Sequence, residues 1–258
     1  MSYAEQTIFK AIDQPLTPAQ MEAADALSSR AVVTSHSARY IYHFGGGFRG
    51  DEKEMLTTGG FDAMAWEDST GSFKLSFRIP NEFIDWKEIV PYFSGYEYGL
   101  IEMEAPLVGE GRILSFNLCE EVGDSVWLEE NTSSLDILLP LRQSIISGDY
   151  RCLYLAWIKN QLVKDNDAFA DPEEDRAIPA IPPGLGQADP ALTAFCNQFY
   201  IYEDLIEEAV EKSSDLAAVD YEALLAALSA DEKDNFLRSL LRGKSFVAER
   251  LRRRLTEK

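Results

Sequence analysis

The two histidines of the chain are the residues best suited to exchange protons or to bind a metal ion. His36 and His43 lie seven positions apart across a predicted turn. A metal site or an acid–base pair would require a carboxylate to converge on them, and Asp62 or Glu67 of the following segment is a candidate. An isolated histidine near the end of a strand is more often structural or exposed, and we favour that interpretation.

A glycine-rich segment follows the second histidine and reads HFGGGFRGD. It lacks the lysine and hydroxyl that a phosphate-binding loop places in register, and it does not match the GxGxxG pattern that opens a helix. We therefore predict a reversal of the backbone with Phe44 and Phe48 turned inward. Arg49 and Asp51 would then either pair with each other or contact a ligand.

Acidic residues are the second group of candidates for catalysis or metal binding. Glu102 and Glu104 alternate along one predicted strand, so their carboxylates share a face, as paired catalytic or metal-binding carboxylates do. A solvent-facing strand has the same pattern, and we favour that interpretation. Asp62 and Lys74 follow the coarse order of a nuclease with paired acids and a lysine, but Ser72 stands where the second acid belongs.

Other patterns of catalytic or metal-binding residues are incomplete. The acidic cluster within residues 165–175 lacks the ligand and the glycine that a calcium loop requires. Cys119, Cys152 and Cys196 are widely spaced, which favours free thiols over a disulfide framework or a zinc site. No serine or cysteine stands in a GxSxG or comparable frame. The sequence therefore predicts no catalytic residue, no metal site and no cofactor.

Charge is divided unevenly along the chain. The 258 residues carry a net charge of −20, yet residues 240–258 hold seven basic residues against two acids, which leaves −25 on residues 1–239. The acidic part would repel nucleic acid and anionic membranes. The basic end either complements the dipole of its own helix or presents Arg250, Arg253 and Arg254 to a partner.

The first half of the sequence predicts an antiparallel sheet with helices. Thr17 and Pro18 begin a predicted helix that runs to about residue 28. Residues 61–67 and 72–79 predict a hairpin, because apolar and polar side chains alternate in the second segment. Further strands are predicted at 3–13, where a turn is the alternative, and at the ranges 31–35, 40–44, 96–104, 111–118 and 126–128. Short helices are predicted at 52–57 and 81–92.

The second half predicts helices. Residues 134–147 and 150–164 are apolar on most sides, which is typical of a buried helical hairpin. We predict an α+β domain over residues 1–164, an acidic and proline-rich linker over 165–189, and a helical region over 190–258. The helix at 190 has Asp189 as its cap. The last residues, LRRRLTEK, carry no stop signal, so we expect the native protein to continue.

Several segments together resemble a group of uncharacterised bacterial proteins. These segments are LTPAQMEAADALSSRAVVT, FRGD, FDA, KLSFRIP, LPLRQSIISGDYRCLYLAW and, near the end, DEKDNFLRSLLRG. The resemblance covers about residues 3–164. It implies a soluble cytoplasmic protein with a charged helical tail, encoded near SWIM-type zinc-finger proteins, and it implies no catalytic residue. The chain departs from the group at HFGGGF.

We therefore expect a non-enzymatic interaction or scaffold protein that binds another protein or a second copy of itself. The first alternative is an enzyme or small-ligand module with a site between the loop at 43–51 and the hairpin at 61–79, lined by His43, Arg49, Asp62 and Trp66. The second alternative is a regulator whose acidic part occupies the basic site of a nucleic-acid-binding protein. The start of the chain lacks a basic and then apolar run, and no stretch is long and apolar enough to span a membrane, so we expect a cytoplasmic location.

Overall fold

A computed structural model describes residues 4–43, 46–93, 101–105, 107–108, 111–118, 134–166, 178–216 and 220–256. Contacts between residues divide the chain into two units, Met1–Ser214 and Asp215–Lys258. The predicted α+β fold is confirmed, because the first unit contains an antiparallel sheet with helices.

The sheet has the strand order β2-β3-β1-β4-β5-β8-β6, and β7 pairs with β8. All of these pairings are antiparallel. β1 lies between β3 and β4, and its residues 5–9 are buried. The bounds of the strands are β1 (Ala4–Lys10), β2 (Val32–Val33), β3 (Ser37–His43), β4 (Ala63–Asp68), β5 (Phe73–Pro80), β6 (Ile101–Glu104), β7 (Leu107–Val108) and β8 (Gly111–Leu118).

The described residues form ten α-helices, two of which begin at the capping residues that the sequence predicts. Thr17 and Gln20 form a capping box at the first helix, and the Asp189 side chain accepts from two backbone amides at the sixth. Their bounds are α1 (Pro18–Ala26), α2 (Glu52–Met55), α3 (Trp86–Ile89), α4 (Ser134–Ile146), α5 (Arg151–Asn166), α6 (Pro190–Gln198), α7 (Glu203–Lys212), α8 (Tyr221–Ala226), α9 (Ala230–Leu241) and α10 (Val247–Thr256). Short 3-10 turns flank α3 at Asn81–Phe83 and Val90–Phe93.

One face of the sheet packs against α1 and α2. The register pairs Phe9 with Met64, and both are fully buried in a cluster that includes Tyr40. The Tyr40 hydroxyl donates to the carbonyl of Ala24 in α1 at 2.8 Å. Phe48 packs on this cluster as predicted, with its ring 4.7 Å from that of Tyr40.

The opposite face packs against α4 and α6. Phe73 of β5 and Phe116 of β8 are both buried on this face, and their rings contact those of Phe199 and Phe195 at 5.6 and 5.2 Å. Successive side chains of a strand alternate between faces, which explains the period of two in the predicted hairpin. Arg142 of α4 reaches the end of the sheet, where charged side chains meet.

The helices α6 and α7 belong to the first unit, although the sequence assigns residues 190–258 to one helical region. The contacts of Phe195 and Phe199 with the sheet join α6 to it. Ser213, which follows α7, donates to the Pro182 carbonyl at 2.8 Å and accepts from the Leu185 amide. Sequence periodicity predicts the helices but does not identify the surface against which they pack.

The second unit contains α8, α9 and α10. Ser229 and Glu232 form a capping box at the start of α9, and that helix ends before Gly243, which adopts a positive φ of 64°. Leu228 and Val247 are buried. Gly243 therefore lies in the interruption between α9 and α10.

Some predictions fall outside the described residues. The predicted strand at 126–128, residues 96–100 of another strand, Phe44, Cys119 and residues 167–175 of the acidic cluster all lie there. Within the described residues, no helix is both long and apolar enough to cross a membrane.

Candidate functional site

Four charged side chains meet at one end of the sheet. Asp13 follows β1, Asp62 precedes β4, Arg78 is in β5 and Arg142 is in α4. Asp62 and Arg142 are 1% and 2% exposed, which is rare for charged residues unless they are paired. We call these four residues the charge quartet.

The Asp62 side chain accepts hydrogen bonds from three residues. Its Oδ2 accepts from the amides of Ile12 and Asp13 at 2.8 and 2.9 Å. Its Oδ1 accepts from Nε of Arg78 at 3.1 Å and from the terminal nitrogen of the same guanidinium. The carboxylate therefore fixes the turn after β1 to the β4–β5 pair.

Asp13 and Arg142 form a bidentate pair. The two terminal nitrogens of Arg142 donate to the two carboxylate oxygens of Asp13 at 2.8 and 2.7 Å. The Nε of Arg142 donates to the Arg78 carbonyl at 2.9 Å. Because a bidentate guanidinium–carboxylate pair is directional, this contact fixes α4 relative to the sheet.

The two carboxylates of the quartet have different pKa values. Burial raises the pKa of Asp13 to about 6, although Arg142 opposes this effect. Burial also acts to raise the pKa of Asp62, but Arg142, the Asp13 amide and Arg78 outweigh it and lower that pKa. At neutral pH both carboxylates are therefore ionised and balance the two guanidinium groups.

The quartet is arranged to stabilise the fold. Each Asp62 oxygen already accepts from protein donors, and the Asp13 oxygens face Arg142. A nucleophile or general base needs a lone pair directed at a substrate, and these lone pairs are directed at protein donors. Within the described residues, no group of three or more histidine, cysteine, aspartate or glutamate side chains could hold a metal ion.

Sequence reasoning missed Asp13, Arg78 and Arg142. Arg142 offered the clearest signal, because it is a single arginine among Leu138, Leu141 and Ile145 on a helix predicted to be buried. A buried arginine requires a carboxylate partner. The sequence contains too many acids to show which of them that partner is.

The predicted ligand site does not gather around Asp62. His43 pairs with Ala4 at the start of β1, whereas the Asp62 amide donates to the carbonyl of Lys10 at its end. Ala4 and Lys10 are six steps apart along an extended strand, which corresponds to about 20 Å. His43 is exposed, and the half-buried Trp66 lies between the two positions, opposite Thr7.

The other candidate residues, Asp51, Arg49 and His36, are exposed, and the contacts seen for Asp51 and His36 are local. Asp51 caps α2, where its Oδ1 accepts from the Glu54 amide at 2.9 Å. Arg49 is exposed. His36 is also exposed, and its Nδ1 lies 2.9 Å from the Ser35 hydroxyl. Nothing in these contacts brings the loop residues together with Asp62.

The predicted basic contacts lie on α10. Arg250, Arg253 and Arg254 are exposed. Arg250 donates to the Ser245 carbonyl at 3.0 Å, and the Nε of Arg254 donates to Glu232 of α9 at 2.8 Å. The helix therefore presents a cationic surface with part of its charge engaged.

The preceding helix exposes large apolar side chains, which sequence reasoning did not identify as a surface. Leu237, Leu240 and Leu241 of α9 are 57%, 55% and 87% exposed. Their spacing of three and four residues places them side by side on the helix. Arg238 and Arg242 flank the last of them and are exposed. We call the three leucines and two arginines the leucine–arginine surface.

Comparisons with known proteins found no relative of this chain. No protein-family model, no curated protein and no solved structure matches the chain.

Proposed function

We propose that this chain is a non-enzymatic interaction or scaffold protein that binds a partner protein through the leucine–arginine surface. The observation that carries the proposal is the exposure of Leu237, Leu240 and Leu241 on one helix. Large apolar side chains that remain in water forgo the free energy of burial, which is about 1.5–3 kcal/mol for a leucine that passes from full exposure to full burial. A partner that covers them recovers that energy.

The charges around the leucines indicate the chemistry of the partner. Arginine and apolar side chains are enriched at protein interfaces, with the apolar groups at the centre. Arg238 and Arg242 flank the leucines, and Lys244 follows. A complementary surface would present apolar side chains bordered by carboxylates. We therefore propose an acidic amphipathic helix as the element that docks.

The arrangement of the charged residues supports a binding role over catalysis. The charge quartet uses its carboxylates within the fold, and His43 lies about 20 Å from Asp62 by strand spacing. The alternative site lined by His43, Arg49, Asp62 and Trp66 therefore gains no support from the geometry. Regulation of a nucleic-acid-binding protein gains none beyond the acidity of the first unit, which carries −21.

A full-length double variant, Leu240→Glu with Leu241→Glu, tests the proposal. The probe is a labelled helical peptide of leucine and glutamate with leucines at i, i+3, i+4 and i+7, and the readout is fluorescence anisotropy. We expect the double variant to weaken binding by about a hundredfold, because two apolar contacts are replaced by like charges. The matched control is Val90→Glu, since Val90 is 61% exposed in the first unit.

Two results would contradict the proposal: no binding of the probe by the unmodified chain together with a monomeric state at all concentrations, or equal binding by both variants. Multi-angle light scattering on the same samples identifies the partner as a second copy if the unmodified chain dimerises and the double variant does not. In that case the chain would still be an interaction protein, but its partner would be a second copy of itself.

We also propose a cytoplasmic location. The cysteines lack the spacing of a disulfide framework, and Cys152 and Cys196 are free thiols in the structure. Cell fractionation with an antibody to the chain tests this location, and recovery from a secreted or membrane fraction would contradict it.

A further inference from the structure

A concave surface lies on the first unit, between α6, α7 and the segment before α6. Its volume is about 850 Å³. Apolar side chains from several elements line it, and carboxylates of α7 line its edge. We call it the α7 groove.

The floor of the α7 groove is apolar. Leu192 and Ile201 are 8% and 4% exposed, and Ile206 and Val210 of α7 are half-buried beside them. Apolar side chains of a ligand can pack against these four residues.

The edge of the α7 groove is acidic. Glu203, Glu207 and Glu211 lie one helical turn apart along α7, are exposed and line the groove together with Asp204. The lining contains no lysine or arginine among the described residues. Asp189 also lines the groove, but Arg151 donates to it at 3.0 Å.

The neighbouring charges do not neutralise this edge. Lys212 of α7 pairs with Glu208, and neither residue lines the groove. Lys159 donates to the Tyr200 carbonyl at 2.7 Å and lies against the Tyr202 ring. Like charges along one helix repel each other, and a cationic ligand would relieve that repulsion.

We propose that the α7 groove is a docking site for a cationic amphipathic helix of a partner protein. From Glu203 to Glu211 the carboxylates span about 12 Å along the helix axis. Lysine or arginine residues at i, i+4 and i+8 of a partner helix repeat at the same spacing. The apolar floor then takes the apolar side chains between them, which a hydrophilic polyamine could not supply.

This inference goes beyond the proposed function, because it concerns a different surface and a partner of opposite charge. The leucine–arginine surface of α9 takes an acidic element, and the α7 groove takes a basic one. A chain with both surfaces can hold two different proteins at once, which is how a scaffold acts.

The test compares two charge reversals on one helix of the full-length chain. Glu207→Lys changes the edge of the groove, and Glu208→Lys makes the same change at the next residue, outside the lining. The probe is a labelled peptide of about 18 residues with leucine and lysine at helical spacing. We expect Glu207→Lys to weaken binding about tenfold or more and Glu208→Lys to change it less than about twofold, at roughly 0.15 M salt.

Two further ligands test the apolar floor. A peptide with serine in place of leucine should bind at least about tenfold more weakly than the leucine peptide. Spermine should not displace the leucine peptide at the same salt concentration. Circular dichroism confirms that both variants remain folded, as expected for exposed positions.

The proposal is overturned if the leucine peptide does not bind, if both charge reversals weaken it equally, or if the serine peptide or spermine binds as tightly. The double variant Leu240→Glu with Leu241→Glu should still bind the leucine–lysine peptide. Failure of the α7 groove is thereby distinguished from failure of the α9 surface.

Discussion

The charge quartet at the end of the sheet and the carboxylate row of the α7 groove use the same residue types in opposite ways. Asp62 and Arg142 are almost fully buried, and their donors and acceptors are matched within the protein. Glu203, Glu207 and Glu211 are exposed, carry one sign and line a concave surface. The quartet is structural because Asp62 and Arg142 are buried and its positive and negative charges balance. The α7 carboxylates are accessible to a partner because they are exposed and their negative charge is not balanced.

The two sets also differ in how they arise from the sequence. The quartet joins residues up to 129 positions apart, and its members come from four separate segments. The α7 carboxylates recur within one helix, so the helical period alone aligns them. The long-range contacts of the quartet constrain folding, whereas the carboxylates of α7 can be substituted without altering the fold.

The largest effect is expected when one member of the quartet is removed. Arg142→Met should reduce the free energy of unfolding by about 3–5 kcal/mol, because it leaves buried carboxylates without their counter-charge. Urea denaturation followed by tryptophan fluorescence measures the change. Arg238→Met is the control, because Arg238 and Asp234 form an exposed pair that contributes little. Equal losses in both variants would contradict the assignment.

The pH dependence of stability separates the two carboxylates of the quartet. Between pH 4 and pH 6 folded Asp13 holds a proton that the unfolded chain has released, since burial raises its pKa to about 6. Its contribution to the free energy of unfolding therefore falls as the pH rises through this window. Asp62, with a lowered pKa, contributes in the opposite direction: its contribution is lost as the pH falls through its folded pKa.

Asp13→Asn removes the first of these two dependences. We expect the free energy of unfolding, relative to the unmodified chain, to rise from pH 4 to pH 6 by on the order of 2 kcal/mol. Asp136→Asn provides a control at an exposed position. A parallel pH profile for Asp13→Asn and the unmodified chain would show that Asp13 does not titrate in this window.

Removing the capping box of α1 or that of α9 tests whether the two units unfold independently. Thr17→Ala should reduce the free energy of unfolding of the first unit by about 1 kcal/mol, because α1 packs on the sheet. Ser229→Ala removes the same kind of cap from α9, and we expect it to lower hydrogen-exchange protection within the second unit only. Loss of protection in β1 on Ser229→Ala would show that the units unfold together.

The smallest effect is expected from the basic helix. Arg254→Met removes an exposed contact with Glu232, so the melting temperature should not change measurably. A clear decrease would assign α10 a structural role and would weaken the contrast between buried and exposed charge. Differential scanning calorimetry provides this measurement.

The local elements of the fold were predictable from the sequence where side chains alternate or caps are present. The β4–β5 hairpin, β8 and the starts of α1 and α6 follow the patterns directly. β1 was predicted only as a strand or turn, because residues buried on both faces show no alternation. Its position as an interior strand of the sheet depends on pairing with residues 63–68 and 37–43, which propensity cannot specify.

The surfaces were less predictable than the elements. The basic end was recognisable from charge alone, but the exposure of Leu237, Leu240 and Leu241 depends on what packs against α9. The α7 groove depends on the position of α6, whose Phe195 packs on the sheet together with Phe199, the residue that follows this helix. Helical periodicity shows an apolar stripe but not the element that covers it.

In the proposed function, the leucines of α9 serve binding and not stability. One sample set of unmodified chain and the Leu240→Glu, Leu241→Glu variant should be measured for both the melting temperature and the dissociation constant of the leucine–glutamate peptide. We predict an unchanged melting temperature and an affinity about a hundredfold weaker. A lower melting temperature with unchanged affinity would show that these leucines belong to the core and would rule out the proposed binding surface.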